Sequence, residues 1–197
     1  MRACALPRLA ATDTHIVDAT AGLGSDAFML ASRGCQVTAV ERNPVVFALL
    51  RDGVERAQRA DGVVADIARR ITVVHADSRA YLLALRDAPA ERRPHIISLD
   101  PMYPSPPGNA RKQALPKKGM QYLRQVVGSD PDDVGSMLEA ALECALRRAV
   151  LKRPSHAPLE LELQSSCVRV RPTHSYAGTR HRFDAFAPVA PPTAATL

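Results

Sequence analysis

VDATAGLGSD, at positions 17–26, decides the fold of this 197-residue chain. The apolar run 15–19 predicts a strand that enters this stretch, and the apolar pattern 26–33 predicts a helix that leaves it. The same alternation continues outward along the chain. Further strands are predicted at 36–41, 71–75, 95–99 and 149–152, and helices are predicted from Pro44, over the segment around Leu82 and over 131–148. Strands that alternate with helices indicate an α/β fold, a mostly parallel sheet with helices on both faces.

The carboxyl-terminal part of the sheet is expected to differ. Residues 168–170 and 183–186 predict two further strands, which would form an antiparallel end. One domain is expected over residues 1–187, and the Pro-, Ala- and Thr-rich segment 188–197 is expected to be a flexible tail.

Composition excludes several classes of protein. With 46% hydrophobic and 23% charged residues, the chain can bury a real core, so wholesale disorder is excluded. No apolar run approaches the roughly 18 residues of a membrane helix, and Pro7 and Arg8 interrupt any signal peptide. The four cysteines form no CxxC pair and no metal-ligand spacing, which favours a reduced cytoplasmic protein without a metal.

Positive charge is concentrated in the second half of the chain. Residues 1–100 contain 13 Lys and Arg against 12 Asp and Glu, whereas residues 101–197 contain 13 against 8, so five of the six net charges lie there. A basic half indicates an anionic partner, most often nucleic acid, although a solvated basic face would give the same composition.

The turn after the first strand has the features of a ligand-binding loop. Gly22 and Gly24 let the backbone turn sharply and approach a ligand with no Cβ in the way. The dinucleotide fingerprint GxGxxG needs a third glycine, but Ala27 stands there. With Asp18 before the turn and Asp26 after it, the loop favours instead an ammonium and a carboxylate of the methionine type.

Acidic residues end the second and third strands as well. In a parallel sheet the ligand lies beyond the carboxyl ends of the strands. Glu41 at that position can accept both hydroxyls of a ribose, through hydrogen bonds worth roughly 1.5–3 kcal/mol each. Asp77 can accept the amino group of an adenine, cap the helix that follows, or do both.

The fourth strand is followed by DPMYP at positions 100–104, the most specific feature of the sequence. Asp100 and the Pro101 carbonyl can each accept a hydrogen bond from a planar amino group, and Tyr103 can stack on its ring. The alternative is a proline-rich turn that Asp100 caps. The segment then continues as a long basic loop to Lys118, which is typical of a functional loop.

Together, the glycine loop, Glu41, Asp77 and DPMYP resemble the class I S-adenosylmethionine (SAM)-dependent methyltransferases that methylate amino groups. That kind carries a (D/N)PP(F/Y)-like motif, in which Met102 here replaces the second proline. The chain is most similar to the RsmJ type, the bacterial small-subunit rRNA guanine-N2 methyltransferases. ERNPVV at 41–46, KK at 117–118, VLKRP at 150–154 and HRFD at 181–184 extend the resemblance over about residues 15–187.

The resemblance implies a Rossmann-like fold with a seven-stranded sheet, and methylation of a guanine N2 near the 3′ end of 16S rRNA. The residues implied to contact SAM, with those of the glycine loop, are Asp18, Gly22, Gly24, Ser25, Asp26, Glu41, Arg42, Asp77, Ser78 and Asp100. Asp100 and Pro101 would hold the amine and Tyr103 would stack on the flipped base. The basic residues expected to contact RNA phosphates are Arg111, Lys112, Lys117, Lys118, Lys152, Arg153, Arg180 and Arg182.

Three features depart from the family pattern. Ser25 stands where an arginine is usual, and the loop before Lys117 is lengthened by Pro106, Pro107 and Gly108. Family members also usually carry a sizeable segment before the catalytic domain, whereas fourteen residues precede the first strand here. The expectation is a shortened form or a start set late, with RNA docking the function most affected.

Other functions remain open at this stage. A nicotinamide-dependent oxidoreductase would also use Glu41, although the glycine pattern and DPMYP argue against it. A non-catalytic RNA-binding remnant would fit the short N-terminus. The amino-group clamp is equally compatible with an amine on DNA, on another RNA or on a protein amide, and only the resemblance selects guanine in rRNA.

Overall fold

The computed structural model describes residues 11–101, 133–164 and 167–189. The strands are β1 (His15–Asp18), β2 (Gln36–Glu41), β3 (Ile71–His75), β4 (Ile96–Leu99), β5 (Arg148–Pro154), β6 (Leu161–Glu162), β7 (Arg169–Val170), β8 (His174–Ala177) and β9 (His181–Phe186). The α-helices are α1 (Ser25–Ala31), α2 (Pro44–Gln58), α3 (Val63–Ala68), α4 (Ser78–Arg86) and α5 (Asp133–Cys144). None of these helices has the length and apolarity that crossing a bilayer requires.

Seven strands form the main sheet in the order β3-β2-β1-β4-β5-β9-β8. The five strands β1 to β5 run parallel, and β9 runs antiparallel to its neighbour β5. The edge strand β8 pairs antiparallel with β9, so it points in the same direction as β1 to β5. The strand order reverses between β1 and β4, which is the switch point where ligands bind in open α/β sheets. The predicted fold, a mostly parallel sheet with an antiparallel end, is confirmed.

Alternate residues of the central strands are buried on opposite faces of the sheet. Ile16, for example, packs in an apolar cluster with α1 residues such as Leu30, whereas its neighbour Val17 packs with Leu138 of α5. A side-chain period of two explains this separation. Because helices cover both faces, the central strands carry buried apolar residues on both sides of the sheet.

The antiparallel end is built differently from the prediction. β9 pairs with β5 and β8, whereas β7, from the predicted strand 168–170, pairs with β6 in a separate two-stranded sheet. The prediction missed β8 because three of its four residues are exposed, so the segment lacks an apolar pattern.

The last helix also ends earlier than predicted. α5 stops at Cys144 instead of Arg148, and the β5 strand already begins at Arg148. The backbone N–H groups of Leu146 and Arg147 donate to the carbonyls of Pro94 and His95, so tertiary hydrogen bonds replace the next helical turn. The predicted tail at 188–197 lies mostly outside the described residues, as does the loop after Pro101.

Candidate functional site

The carboxyl ends of β1, β2 and β4 bring three acidic residues to one edge of the sheet. Asp18 ends β1, Glu41 ends β2, and Asp100 directly follows β4. The parallel pairing of β1 with both β2 and β4 fixes this arrangement. The α1 helix adds Asp26 in its first turn.

Both glycines of the loop adopt a left-handed backbone, but the space beside them differs. Gly24 has φ +83°, a left-handed backbone that favours glycine, and a Cβ there would lie 2.5 Å from Cδ1 of Leu50 on α2, so that side chain would have to shift. Gly22 has φ +53°, and a Cβ there would meet no described atom within 4 Å. Gly24 therefore seats the loop on the domain, while the backbone at Gly22 is open to a ligand.

Glu41 is buried, with only 7% of its surface exposed, and two backbone groups fix its carboxylate. The N–H of Gly22 donates to Oε2 at 3.0 Å, and the N–H of Asn43 donates to Oε1 at 2.8 Å. A carboxylate oxygen can accept more than one hydrogen bond, so each oxygen of Glu41 can also accept a ribose hydroxyl. Glu41 thus holds the glycine loop in place and is itself oriented by it.

Thr20, which the sequence analysis did not single out, links the ends of β1 and β4. Its N–H donates to Oδ1 of Asp18 at 3.3 Å, and its hydroxyl accepts from the N–H of Asp100 at 2.7 Å. A hydroxyl inside a glycine loop is the only sequence signal for this role. The residue positions the glycine loop and the DPMYP segment relative to each other.

Asp18 is the least satisfied acid of this edge. It is 2% exposed, and its Oδ2 has no hydrogen-bond partner within the described residues. The pKa of Asp18 is raised from 3.8 to about 7, mainly by burial and also by the nearby charges of Asp26, Asp100 and Glu41, while the hydrogen bond from the Thr20 N–H opposes the shift. An excess of negative charge at this edge favours a positively charged ligand.

Asp77, which follows the end of β3, caps the next helix. Oδ1 of Asp77 accepts from the N–H of Ala80 at 2.9 Å, so this side chain is the N-cap of α4. The neighbouring Ser78 is buried, and its hydroxyl donates to the carbonyl of Ala19. Asp77 itself is exposed and keeps a second oxygen for an adenine amino group, whereas Ser78 ties α4 to the end of β1.

Asp100 forms an ion pair that the sequence analysis did not foresee. Its Oδ2 lies 2.5 Å from Nζ of Lys152 on the neighbouring strand β5. Burial raises the pKa of Asp100, Lys152 lowers it, and Asp26 raises it again, with a net upward shift. The pKa of Lys152 is also raised, because Asp100, Asp26 and Asp18 together outweigh the lowering effect of burial.

Arg153 and Arg182 were expected to contact RNA, and the structure corrects this. They are 5% and 7% exposed, and both guanidinium groups pair with the fully buried carboxylate of Asp184. Arg182 also donates to the carbonyls of Ser155, Ala157 and Pro158. These donors face inward and hold the turn after β5, so they cannot meet a phosphate. Arg180, in contrast, is exposed.

The remaining predicted site residues fall into two groups. Ser25 and Arg42 are exposed and Asp26 is half-buried, all at the same edge as the acids. Tyr103, Arg111, Lys112, Lys117 and Lys118 lie outside the described residues, and Pro101 is the last described residue before them. Among the described residues, no group of three His, Cys, Asp or Glu side chains could hold a metal ion.

A separate cleft of about 370 Å³ lies between α1, α2 and α3. Its lining is apolar apart from Ser25, and it includes Phe28, Leu50 and Ile71. No carboxylate lines it, so it does not suit a cationic ligand. The acidic edge, with its polar groups directed at one place, is the better candidate site.

Comparison with known proteins gives one family match over nearly the whole chain. The family model described as putative SAM-dependent methyltransferase matches residues 2–188. The ribosomal RNA small subunit methyltransferase J of Chromobacterium violaceum is 45% identical over 172 residues, which are 87% of this chain and 61% of that protein. The protein of the same name from Agrobacterium fabrum is 43% identical, over 87% of this chain and 74% of its own length.

A solved structure agrees with these matches. The crystal structure of a SAM-dependent methyltransferase from Neisseria gonorrhoeae superposes with a TM-score of 0.64 at 33% identity, covering 88% of this chain and 65% of that one. The chain thus spans about three fifths of the length of the first curated relatives that it matches.

Proposed function

Since the chain belongs to the putative SAM-dependent methyltransferase family, together with the ribosomal RNA small subunit methyltransferase J proteins, we propose that it methylates RNA. The reaction is transfer of the methyl group of SAM to the exocyclic N2 of a guanine in 16S rRNA. The observation that carries the proposal is the acidic edge, where Asp100 stands beside the glycine loop and the buried Glu41. A substrate in the small ribosomal subunit implies that the protein acts in the cytoplasm.

The described residues suit SAM by their charge and hydrogen-bonding capacity. SAM carries a sulfonium and an ammonium, and the acidic edge offers the carboxylates of Asp18, Asp26 and Asp100. The unsatisfied Oδ2 of Asp18 is a buried acceptor of the kind that an ammonium group satisfies. Glu41 would accept the ribose hydroxyls, and Asp77 would accept the adenine amino group. When bound, the cofactor supplies an electrophilic methyl group.

Asp100 and Pro101 would act on the nucleophile. The lone pair of the guanine amine is delocalised into the ring, so the amine is a weak nucleophile. A carboxylate and a carbonyl that accept its two N–H groups would hold the nitrogen toward the methyl group, so catalysis is mainly positioning and electrostatics. The N–C bond forms as the S–C bond breaks with its electron pair left on sulfur, and the nitrogen then loses one proton to solvent or to Asp100.

RNA would be bound by the basic segment that follows Pro101. Tyr103 would stack on the flipped guanine, and Arg111, Lys112, Lys117 and Lys118 would contact the adjacent phosphates. The exposed Arg180 extends this set. Binding through phosphates predicts an RNA affinity that falls steeply with salt.

Calorimetric titration of the full chain with SAM, followed by methyl transfer from radiolabelled SAM to unmodified 30S subunits, tests the proposal. Asp100→Ala should lose at least about tenfold in turnover at saturating SAM, since it removes a charge-assisted hydrogen bond to the amine. Asp52→Ala, on the exposed face of α2, is the matched control and should behave as the parent chain. Cofactor binding without transfer to any guanine N2 would refute the proposed reaction, and absence of SAM binding would refute the cofactor as well.

A further inference from the structure

Lys152 occupies a defined position beside the proposed amine clamp. Leu151 of β5 pairs with Leu99 of β4, so Lys152 stands next to Asp100, one residue beyond the ladder. Its Nζ lies 2.5 Å from Oδ2 of Asp100 and 6.0 Å from the ring centroid of Phe183, its cross-strand neighbour on β9. With 26% of its side chain exposed, Lys152 is held between a carboxylate and an aromatic face.

The charges around Asp100 explain why this ammonium matters. Asp26 on α1 and Asp18 at the end of β1 interact with Asp100 as charges of the same sign, whereas His181 on β9 lowers the pKa of Asp100. A protonated Asp100 would carry an O–H donor on one oxygen and would be a weaker, neutral acceptor for an amine N–H. The clamp is therefore strongest with an ionised Asp100, which burial and Asp26 oppose and Lys152 favours.

We propose that Lys152 is a positioning residue for methyl transfer: its ammonium fixes Oδ2 of Asp100, so that Oδ1 accepts the target amine. This inference rests on the proposed function and replaces the expected contact of Lys152 with an RNA phosphate. Moving the ammonium to a phosphate would leave Asp100 with an uncompensated negative charge beside two other carboxylates, which the geometry makes unfavourable.

The test compares Lys152→Met with Lys152→Arg in the full chain. An opposite charge at this distance lowers a carboxyl pKa by about 1 to 3 units, so Lys152→Met should raise the pKa of Asp100 by that amount. Carbon-13 NMR titration of the carboxyl groups, assigned with Asp100→Asn, measures this without any methyl transfer. The acid limb of the pH profile of kcat/KM on 30S subunits should move to higher pH by the same amount in Lys152→Met. In Lys152→Arg the acid limb should stay where it lies in the parent chain. Arg56→Met, which removes an exposed cation from α2, should change neither value.

A phosphate-binding lysine would give a different result. Its loss would weaken RNA binding and reduce the slope of log K against log [salt] by about one, with the pKa of Asp100 and the acid limb unmoved. That outcome would overturn the inference. If Lys152→Met folds poorly, the turnover of the double variant Lys152→Met, Asp100→Asn is compared with that of Asp100→Asn alone. A lysine that acts only through Asp100 predicts equal turnover in these two variants. A parent chain without methyl transfer would refute the proposed function, while the NMR titration would still decide the role of Lys152.

Discussion

Replacing Asp18 with asparagine tests whether the acidic edge is maintained at the expense of stability. The substitution preserves side-chain size and an acceptor for the Thr20 N–H, and it removes only the buried charge. Asp18 is 2% exposed, and its pKa is raised from 3.8 to about 7, first by burial and then by Asp26, with smaller contributions from Asp100 and Glu41.

The size and sign of the effect follow from proton linkage. Between pH 3.8 and about 7 the folded chain keeps a proton on Asp18 that the unfolded chain has released, so stability falls as pH rises through this window. Each pH unit corresponds to about 1.4 kcal/mol, so the full loss is about 4 kcal/mol above pH 7. More than half of it falls between pH 5 and pH 8.

Urea unfolding of the parent chain and Asp18→Asn at several pH values, without cofactor, measures this difference. The stability of the parent should fall relative to the variant as pH rises, whereas Asp52→Asn, at an exposed and ion-paired carboxylate, should leave the pH dependence unchanged. Comparing slopes cancels any constant effect of the amide. Parallel curves for the parent and Asp18→Asn between pH 5 and pH 8 would refute the raised pKa and the charge cluster behind it.

Proton linkage at Asp18 should also make the affinity for the proposed cofactor depend on pH. A ligand with a sulfonium and an ammonium favours the ionised form of Asp18, so the affinity of the parent for SAM should increase from pH 6 to pH 8. S-adenosylhomocysteine has lost the sulfonium charge, so its affinity should depend less on pH. In Asp18→Asn both dependences should be flatter, as calorimetric titration at each pH would show.

Three further outcomes are expected. Glu41→Ala should weaken SAM binding by at least about tenfold in calorimetry, because it removes the proposed ribose acceptor and the support of the glycine loop, and binding equal to that of the exposed Glu55→Ala control would contradict this role. Gly24→Ala should lower stability by about 1–3 kcal/mol in thermal unfolding. Adding Leu50→Ala should relieve the clash with the new Cβ but not the backbone strain, so full additivity of the two losses in the double variant would contradict the clash. Asp184→Asn should cost about 3–5 kcal/mol in chemical denaturation, because two buried guanidinium groups lose their carboxylate, and a loss below about 1 kcal/mol would mean that they find other partners.

Much of the candidate site could be predicted because parallel strands place their carboxyl ends together. Asp18, Glu41 and Asp100 lie far apart in sequence, but each lies at or next to the end of a predicted strand. Recognising the runs is therefore enough to assemble the edge. The glycine pattern similarly predicted a sharp turn, and both loop glycines do adopt a left-handed backbone.

Charge pairing could not be read from the same patterns. Lys152, Arg153 and Arg182 looked alike in sequence, as basic residues near strand ends, yet the first pairs with Asp100 and the other two with Asp184. Whether a strand residue faces inward depends on its register with a distant partner, and here Arg153 pairs with Arg182 across β5 and β9. A buried acid such as Asp184 then satisfies both, which composition alone does not indicate.

The charge distribution at the edge is itself an argument for function. A fold does not need a carboxylate at the buried end of β1, and Asp18 would be stabilised there by neutralisation. Folded proteins retain such destabilising groups mainly where the group acts on a ligand. Lys152 offsets the charge of Asp100, with its Nζ on Oδ2, but Oδ2 of Asp18 keeps no partner in the described chain. A positively charged group placed at this oxygen, such as the ammonium of SAM, would therefore complete the edge.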